Sequence, residues 1–362
     1  MKPLVTFALF GSNQEEFMAD AVAGALAQTY SPLRLIFSDD CSTDGTFGIM
    51  KSAAARYGGP HQIVLNRNKS NLGFAGHVNC VSRLVRGGLM VVAAVDDISL
   101  PCRTATLVEA WESSGRTAGL IHSRVSHINQ AGEEIRHPHF HDPSEPTGHF
   151  TEQRVTPSSY VDTLKPPIFG CSEAFSLSLA EVFGDLPTDL THEDNVLMLR
   201  ALLVGGVLYV DRPVVKYRMH GSNSYNAEQR IAATWESIKA EEERTRRNFA
   251  MRAVMHRVFC GDLTTAYNKG MIGKEEFLKA RAIGEHHERL NSLLEHFMAC
   301  DILRRPWTLL QVARAGAPAA RVRKLLLRLL PAPAWQAAKL LRGRLHYGLW
   351  PGRPRHAAHR LL

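Results

Sequence analysis

The feature that most narrows the fold is a rhythm in the first part of the chain. Short apolar runs at residues 4–10, 33–37, 63–65 and 89–94 alternate with segments patterned for helices. All four read as strands, and the run at 89–94 has none of the polar alternation that a strand with one wet face would show, so it suits a strand buried on both faces of a sheet. Strands separated by helices of this length are joined by right-handed crossovers and lie mostly parallel. The spacing predicts a helix after residue 13, with Asn13 and Glu16 placed as a capping box and Phe17, Ala21, Val22, Ala25 and Leu26 on its buried stripe. Further helices are expected near residues 46–57 and 74–85.

Past Pro101 the pattern loosens. A helix is expected at 107–111, a strand at 120–128, a helix over 171–183, a helix opening at His192-Glu193-Asp194-Asn195, and strands at 207–210 and 213–218. His137, His139 and His141 share a polar stretch, which reads as an exposed loop in preference to a metal site. Helical patterns then take over at 231–258, 274–283 and 285–302. The expected division is an α/β domain over residues 1–225 and an α-helical, basic region over 226–362.

Charge is unevenly placed. The chain has 362 residues and a net charge of +8, but residues 301–362 hold 13 Lys and Arg against one acid, Asp301. The basic balance therefore belongs to the tail. Its segments Leu325-Leu326-Leu327-Arg328-Leu329-Leu330 and Leu340-Leu341-Arg342-Gly343-Arg344-Leu345 mix cationic and apolar residues. They suit either an anionic membrane surface or a helical bundle with a solvated face or dimer contact. Nucleic acid is a poorer partner, because no recognised binding module or interleaved aromatics accompany the charge. The cysteines are scattered without a C-x-x-C pair, which suits a reducing compartment. No run approaches the roughly 20 apolar residues of a membrane span. The first apolar run is a strand rather than a leader, since a polar Gly-Ser-Asn-Gln-Glu-Glu segment follows it. The expected location is cytoplasmic or peripheral at the inner face of the membrane.

Carboxylates stand where two of the apolar runs end: Asp39-Asp40 after the second and Asp96-Asp97 after the fourth. Open α/β sheets bind ligands at such strand ends. A carboxylate cannot be buried unpaired, because its desolvation costs several kcal/mol. At Asp96-Asp97 either a cation neutralises the pair or the two acids face water.

The motifs occur in a set order: Phe10-Gly11-Ser12-Asn13, Ala27-Gln28-Thr29-Tyr30, Ser38-Asp39-Asp40-Cys41-Ser42-Thr43-Asp44-Gly45-Thr46, Asn71-Leu72-Gly73-Phe74-Ala75-Gly76-His77-Val78-Asn79, Val95-Asp96-Asp97-Ile98, His192-Glu193-Asp194, and Tyr217-Arg218-Met219-His220-Gly221-Ser222-Asn223-Ser224. Taken together, over about residues 3–225, they resemble glycosyltransferase family 2, of the GT-A fold. The resemblance implies a Rossmann-like, mostly parallel sheet flanked by helices, with the helical C-terminal region as an extension. It implies an inverting glycosyltransferase that moves a sugar from a nucleoside-diphosphate sugar, by default a uridine type, to a hydroxyl of a glycan or lipid-linked acceptor in polysaccharide or glycolipid biosynthesis. Asp194 takes the role of base, with Glu193 beside it. Phe10, Asn13, Asp40, Asn71, Gly73, Asp96 and Arg218 line the nucleotide cleft. Asp96, Asp97 and His220 hold Mn²⁺ or Mg²⁺ on the diphosphate. Asn79 lies along the same cleft, and Gly170-Cys171-Ser172 lies near the acceptor. The family's acid two residues before Asp96 is replaced by Ala94. That departure motivates the competing reading, a non-catalytic module that binds nucleotide sugars. A dinucleotide oxidoreductase is set aside, because no G-x-G-x-x-G turn follows the first strand.

Overall fold

The computed structural model describes residues 1–135, 150–152, 155–165, 170–190, 193–220, 235–329 and 337. The loop with His137, His139 and His141, residue His192, the turn at 221–224 and the segment at 340–345 lie outside them. The rhythm of the first runs is realised as β1 (Val5–Gly11), α1 (Glu15–Leu26), β2 (Leu33–Asp39), α2 (Thr46–Arg56), β3 (Gln62–Arg67), α3 (Gly73–Ser82) and β4 (Leu89–Ala94). Then follow β5 (Ile98–Ser99), α4 (Arg103–Ser113), β6 (Leu120–Ile128), β7 (Phe150–Glu152), α5 (Pro157–Thr163), β8 (Glu173–Ser176), α6 (Ser178–Phe183), α7 (Glu193–Val204) and β9 (Val207–Arg218). The remainder is helical: α8 (Trp235–Asn268), α9 (Lys274–Ala299), α10 (Arg305–Arg314) and α11 (Ala319–Leu326).

One sheet runs in the order β3-β2-β1-β4-β8-β6-β9-β5, with β7 also on β9. β1 is parallel to both β2 and β4, and every residue of β1 is buried. The register sets Gly11 opposite Asp39 and Phe10 opposite Ala94. The loops after β1, β2 and β4 therefore leave the sheet at the same edge, the carboxyl end where ligands bind in open α/β sheets. Chain order reverses across β1, which makes this the switch point.

Several expectations are corrected. Residues 173–176 are a strand, not part of a helix, and β8 lies antiparallel between β4 and β6 with all four residues buried. The two expected strands at 207–218 are one, β9, and an irregular register at Arg124, opposite Pro213, accommodates the residue that cannot donate to a ladder. Gly284 does not end a helix, since α9 runs through it. The Asn13–Glu16 capping box does not form. The cap position of α1 is Gln14, without a side-chain bond. Instead the N–H groups of Asn13, Gln14 and Glu15 donate to Ser42 Oγ at 2.8 Å, Thr46 Oγ1 at 2.9 Å and Asp44 Oδ2 at 3.1 Å. The Glu15 carboxylate accepts from the Gly45 N–H in return. The motif after β2 thus supplies the helix-start acceptors that α1 lacks locally.

The chain forms two compact units, residues 1–223 with 258–284 and residues 224–257 with 285–362. In the first, Phe7, Leu35, Phe37, Val91 and Ile121 centre the core around the sheet. Residues 258–284 attach to it by a buried ion pair, Arg200 Nε to Asp262 Oδ2 at 2.8 Å, and by Ser158 N–H to Glu276 Oε1 at 2.7 Å. Removing one partner leaves the other charged and desolvated. Asp262→Ala is therefore expected to lower stability by about 3–5 kcal/mol, read as a shift of the denaturant midpoint. A loss below about 1 kcal/mol would match a solvated pair instead. In the second unit, Leu290, Leu294, Phe297, Leu309, Val312 and Leu325 form a separate core. No helix among the described residues is long and apolar enough to cross a membrane.

Candidate active site

At the edge where β1 and β2 end, a polar cradle is built from neighbouring loops. Asp40 is buried, and its Oδ1 accepts from Asn68 Nδ2 at 2.8 Å and from the Leu72 N–H at 2.9 Å. Its Oδ2 receives only the same Leu72 N–H, at 3.1 Å. A carboxylate oxygen has two lone pairs, so capacity remains for one more donor. Ser38 Oγ meets His77 Nε2 at 2.6 Å and accepts from Asn66 Nδ2 at 2.9 Å. Burial holds His77 below the usual imidazole range, against the pull of Asp40 and Asp39. Phe10 is buried with its ring edge on His77, and Phe74 packs on Phe10 from the solvent side. Asn71 Oδ1 accepts the Gly73 N–H at 3.0 Å, where a positive φ of 69° favours glycine at the start of α3. Asn13 Oδ1 accepts from the Thr43 N–H at 2.8 Å.

At the end of β4 the two acids part company. Asp97 is buried, and its Oδ1 accepts the Arg218 backbone N–H at 2.8 Å. Cys171 lies close enough to interact with this carboxylate. Burial first, then the charge of Asp96, push Asp97 up to about 7. Asp96 keeps its carboxylate at the surface of the turn, with Oδ2 3.2 Å from His220 Nε2. The His220 ring rests on Phe17, at 4.9 Å. Arg218 braces the turn: Nε donates to Asp96 O at 2.9 Å, one terminal nitrogen to Gln130 O at 2.8 Å and the other to Asp20 Oδ2 at 2.8 Å. Beneath them Arg103 is buried and donates to Ser99 Oγ and to the Val92 carbonyl.

Glu193 and Asp194 open α7, where the helix macrodipole favours acids. Asp194 Oδ1 accepts from the Asn195 N–H at 2.8 Å, and Tyr160 Oη donates to Asn195 Oδ1 at 3.0 Å. Burial first, and then Asp194, push Glu193 up to about 8. Glu173, also buried, is raised well above the carboxylate range by burial and by both of these acids. At neutral pH Glu193 and Glu173 thus hold their protons and do not add repulsion to Asp194. The sign of the linkage is definite. Unfolded, Glu193 and Asp97 ionise at their ordinary values of 4.5 and 3.8; folded, near 8 and 7. Between those values unfolding releases protons, so stability falls as pH rises through the window. Glu193→Gln is expected to flatten that slope between ~pH 5 and ~pH 8 in denaturant titrations. An unchanged slope would mean that Glu193 ionises normally.

Residues 170 and 171 lie beside the acid groups. A Cβ on Gly170 would lie 3.7 Å from Asp194 Cβ and 3.8 Å from Glu193 Oε1, while Cys171 interacts with Asp97. Among the residues expected at the site, Asp96 and His220 come together as a pair. Asp97 stands apart from them and is occupied inside. Arg218 already has an acceptor for each guanidinium nitrogen. Phe10 lies under Phe74, and Asn13 and Asn71 bind their own loops. Asn68, Arg103, Glu173 and Gln130 were not anticipated. Arg103 and Glu173 had one available signal, a charge beside an otherwise apolar run.

Among the described residues no three His, Cys, Asp or Glu side chains form a metal cage. A metal at the Asp96–His220 pair would meet one carboxylate and one imidazole from the protein. That pair suits Mn²⁺ better than Mg²⁺, with phosphate oxygens and water to complete the shell.

Residues 12–186 match the family model described as Glycosyl transferase family 2. This segment belongs to that family. The chain is 38% identical over 92 residues to the protein named "Putative glycosyltransferase EpsE" of Bacillus subtilis (strain 168). The alignment covers 25% of this chain and 32% of that protein. An uncharacterized protein of Mycobacterium tuberculosis is 35% identical over 86 residues, 24% of each chain. The matches thus span about a third or less of these curated relatives. Among solved structures, Staphylococcus aureus TarS 1–349 in complex with UDP-GlcNAc superposes with a TM-score of 0.56 at 14% identity, covering 95% of this chain and 92% of that one. TarS 1–349 without that ligand gives 0.54 at 13% identity, covering 95% and 91%. The likeness establishes the GT-A fold with a helical C-terminal region.

Proposed function

We propose that this glycosyltransferase transfers a sugar, with inversion, from a uridine-type nucleoside-diphosphate sugar to a hydroxyl of a glycan or lipid-linked acceptor. One observation carries the reading. The Asp40 cradle, the Asp96–His220 pair and the Asp194–Glu193 pair lie at the ends of β2 and β4 and the start of α7, with Gly170 beside the last pair and Cys171 beside Asp97. The binding of a UDP-sugar by a protein of the same fold supports the donor class.

In this reading the free capacity of Asp40 Oδ2 accepts a base N–H, a charge-assisted bond. The exposed Phe74 ring flanks the base. Asp96 and His220 would hold a divalent cation against the diphosphate. Such a cation, when bound, neutralises charge that grows on the leaving group. Asp194 takes the proton from the acceptor hydroxyl as its oxygen attacks the anomeric carbon. Glu193, pushed up to about 8, keeps its proton at neutral pH and adds no charge of its own beside Asp194. No side-chain nucleophile enters, so one displacement inverts the anomeric centre.

The deciding experiment is a donor screen by released nucleoside diphosphate, followed by the anomeric configuration of the product by NMR. Turnover of a uridine-linked sugar with Mn²⁺ and an inverted product is the expected result. A retained configuration would remove the single-displacement mechanism. Donor binding without turnover across a broad acceptor panel would favour the binding-module reading, which Ala94 at the end of β4 motivates.

A further inference from the structure

The second unit carries a surface that the proposed chemistry does not use. α10 has two apolar sides. Thr308, Leu309 and Val312 are buried, with Leu309 and Val312 in the unit's own core. Trp307 and Leu310 lie on the opposite side, 62% and 42% exposed, and Leu303 in the preceding turn is 90% exposed. At 100° per residue, Trp307, Leu310 and Arg314 fall within one narrow stripe. An exposed Trp is a poor choice for a solvated helix face, whereas at a lipid–water boundary its amphipathic ring is favoured. In α11, Leu326 is 49% exposed, and Arg321, Arg323 and Lys324 are exposed as well. From residue 302 to residue 362 the sequence has 13 Lys and Arg and no Asp or Glu.

We infer that the face formed by α10 and α11 docks on an anionic membrane surface, with Trp307 and Leu310 entering the headgroup–acyl boundary and the cations around them pairing with lipid phosphates. Two features select this occupant. The charge is of one sign over the whole stretch, complementary to an anionic leaflet. The exposed centre is apolar and aromatic, which a nucleic-acid backbone would not need and lipid would accept. The inference is independent of the chemistry proposed above and is read by binding alone.

The full chain is sedimented with vesicles of phosphatidylcholine alone or of phosphatidylcholine with about one-third phosphatidylglycerol. The expected result is partition onto the anionic vesicles at least about tenfold above the neutral ones, weakened by added salt. Trp307→Ser with Leu310→Ser replaces two exposed side chains outside the unit's core and is expected to reduce that partition by roughly tenfold or more, with an unchanged circular dichroism spectrum. Arg321→Glu with Lys324→Glu is expected to erase the preference for anionic lipid. Absence of binding, equal binding to both vesicles, or a Trp307→Ser, Leu310→Ser chain that binds like the parent would overturn the inference. So would a self-association in sedimentation velocity that this variant abolishes while vesicle binding persists, or nucleic-acid binding that the vesicles fail to displace.

Discussion

Asp194→Asn is expected to cut the rate of transfer by roughly 10²–10⁴-fold, the usual contribution of a positioned general base, while donor affinity stays within about twofold. The substitution is nearly isosteric, and the amide oxygen still accepts the Asn195 N–H that the carboxylate accepts now. What it removes is the proton acceptor. Titration of donor binding by calorimetry and single-turnover transfer separate the two effects. Glu193→Gln is the partner control. Because burial and Asp194 already push Glu193 up to about 8, the neutral amide imitates its state at neutral pH, and most of the activity is expected to survive. Full activity in Asp194→Asn would take the base role from it. Equal losses in both variants would point to a disturbed start of α7 instead.

The second large effect is at the acidic turn. Asp96→Ala is expected to lower kcat/KM on the order of 10²–10³-fold, the range seen when one preorganised electrostatic partner of a developing charge is lost. With Ala94 upstream and Asp97 turned to Arg218 and Cys171, no neighbouring acid is positioned to substitute. His220→Asp provides the contrast. Replacing imidazole by a second carboxylate is expected to shift the preference from Mn²⁺ towards Mg²⁺, which a metal titration reads directly. Activity of Asp96→Ala equal to the parent, at limiting metal, would disconnect the turn from metal use.

The first βαβ units were legible because they obey local rules: apolar runs long enough to span the sheet, helices between them, acids at their ends. Asp40, Asp96 and Asp194 stand out in the sequence for the same reason, since each sits in a short ordered motif. β8 was not legible. Four residues are too few to display a period, and Glu173 places a charge in what is a buried strand. Adjacency at Asp96-Asp97 does not show that consecutive side chains on a tight turn diverge, one towards His220 and one to the Arg218 N–H. The partners of Arg218 were hidden in the same way. Sequence offers a cation near a phosphate site, but only the folded chain shows the guanidinium nitrogens already taken by Asp96, Gln130 and Asp20.

The exchange of caps between α1 and the segment after β2 has a practical consequence for anyone mutating that segment. Ser42, Asp44 and Thr46 support the first turn of α1 across 29–32 residues of sequence. Their loss would loosen two walls of the proposed nucleotide cleft at once and appear in kinetics as a raised KM, although none of the three need touch the donor. A conserved-looking motif can thus score as a substrate contact while acting as a joint. Proteolytic susceptibility of the ligand-free protein distinguishes the two, because a weakened joint exposes backbone before any sugar nucleotide is added.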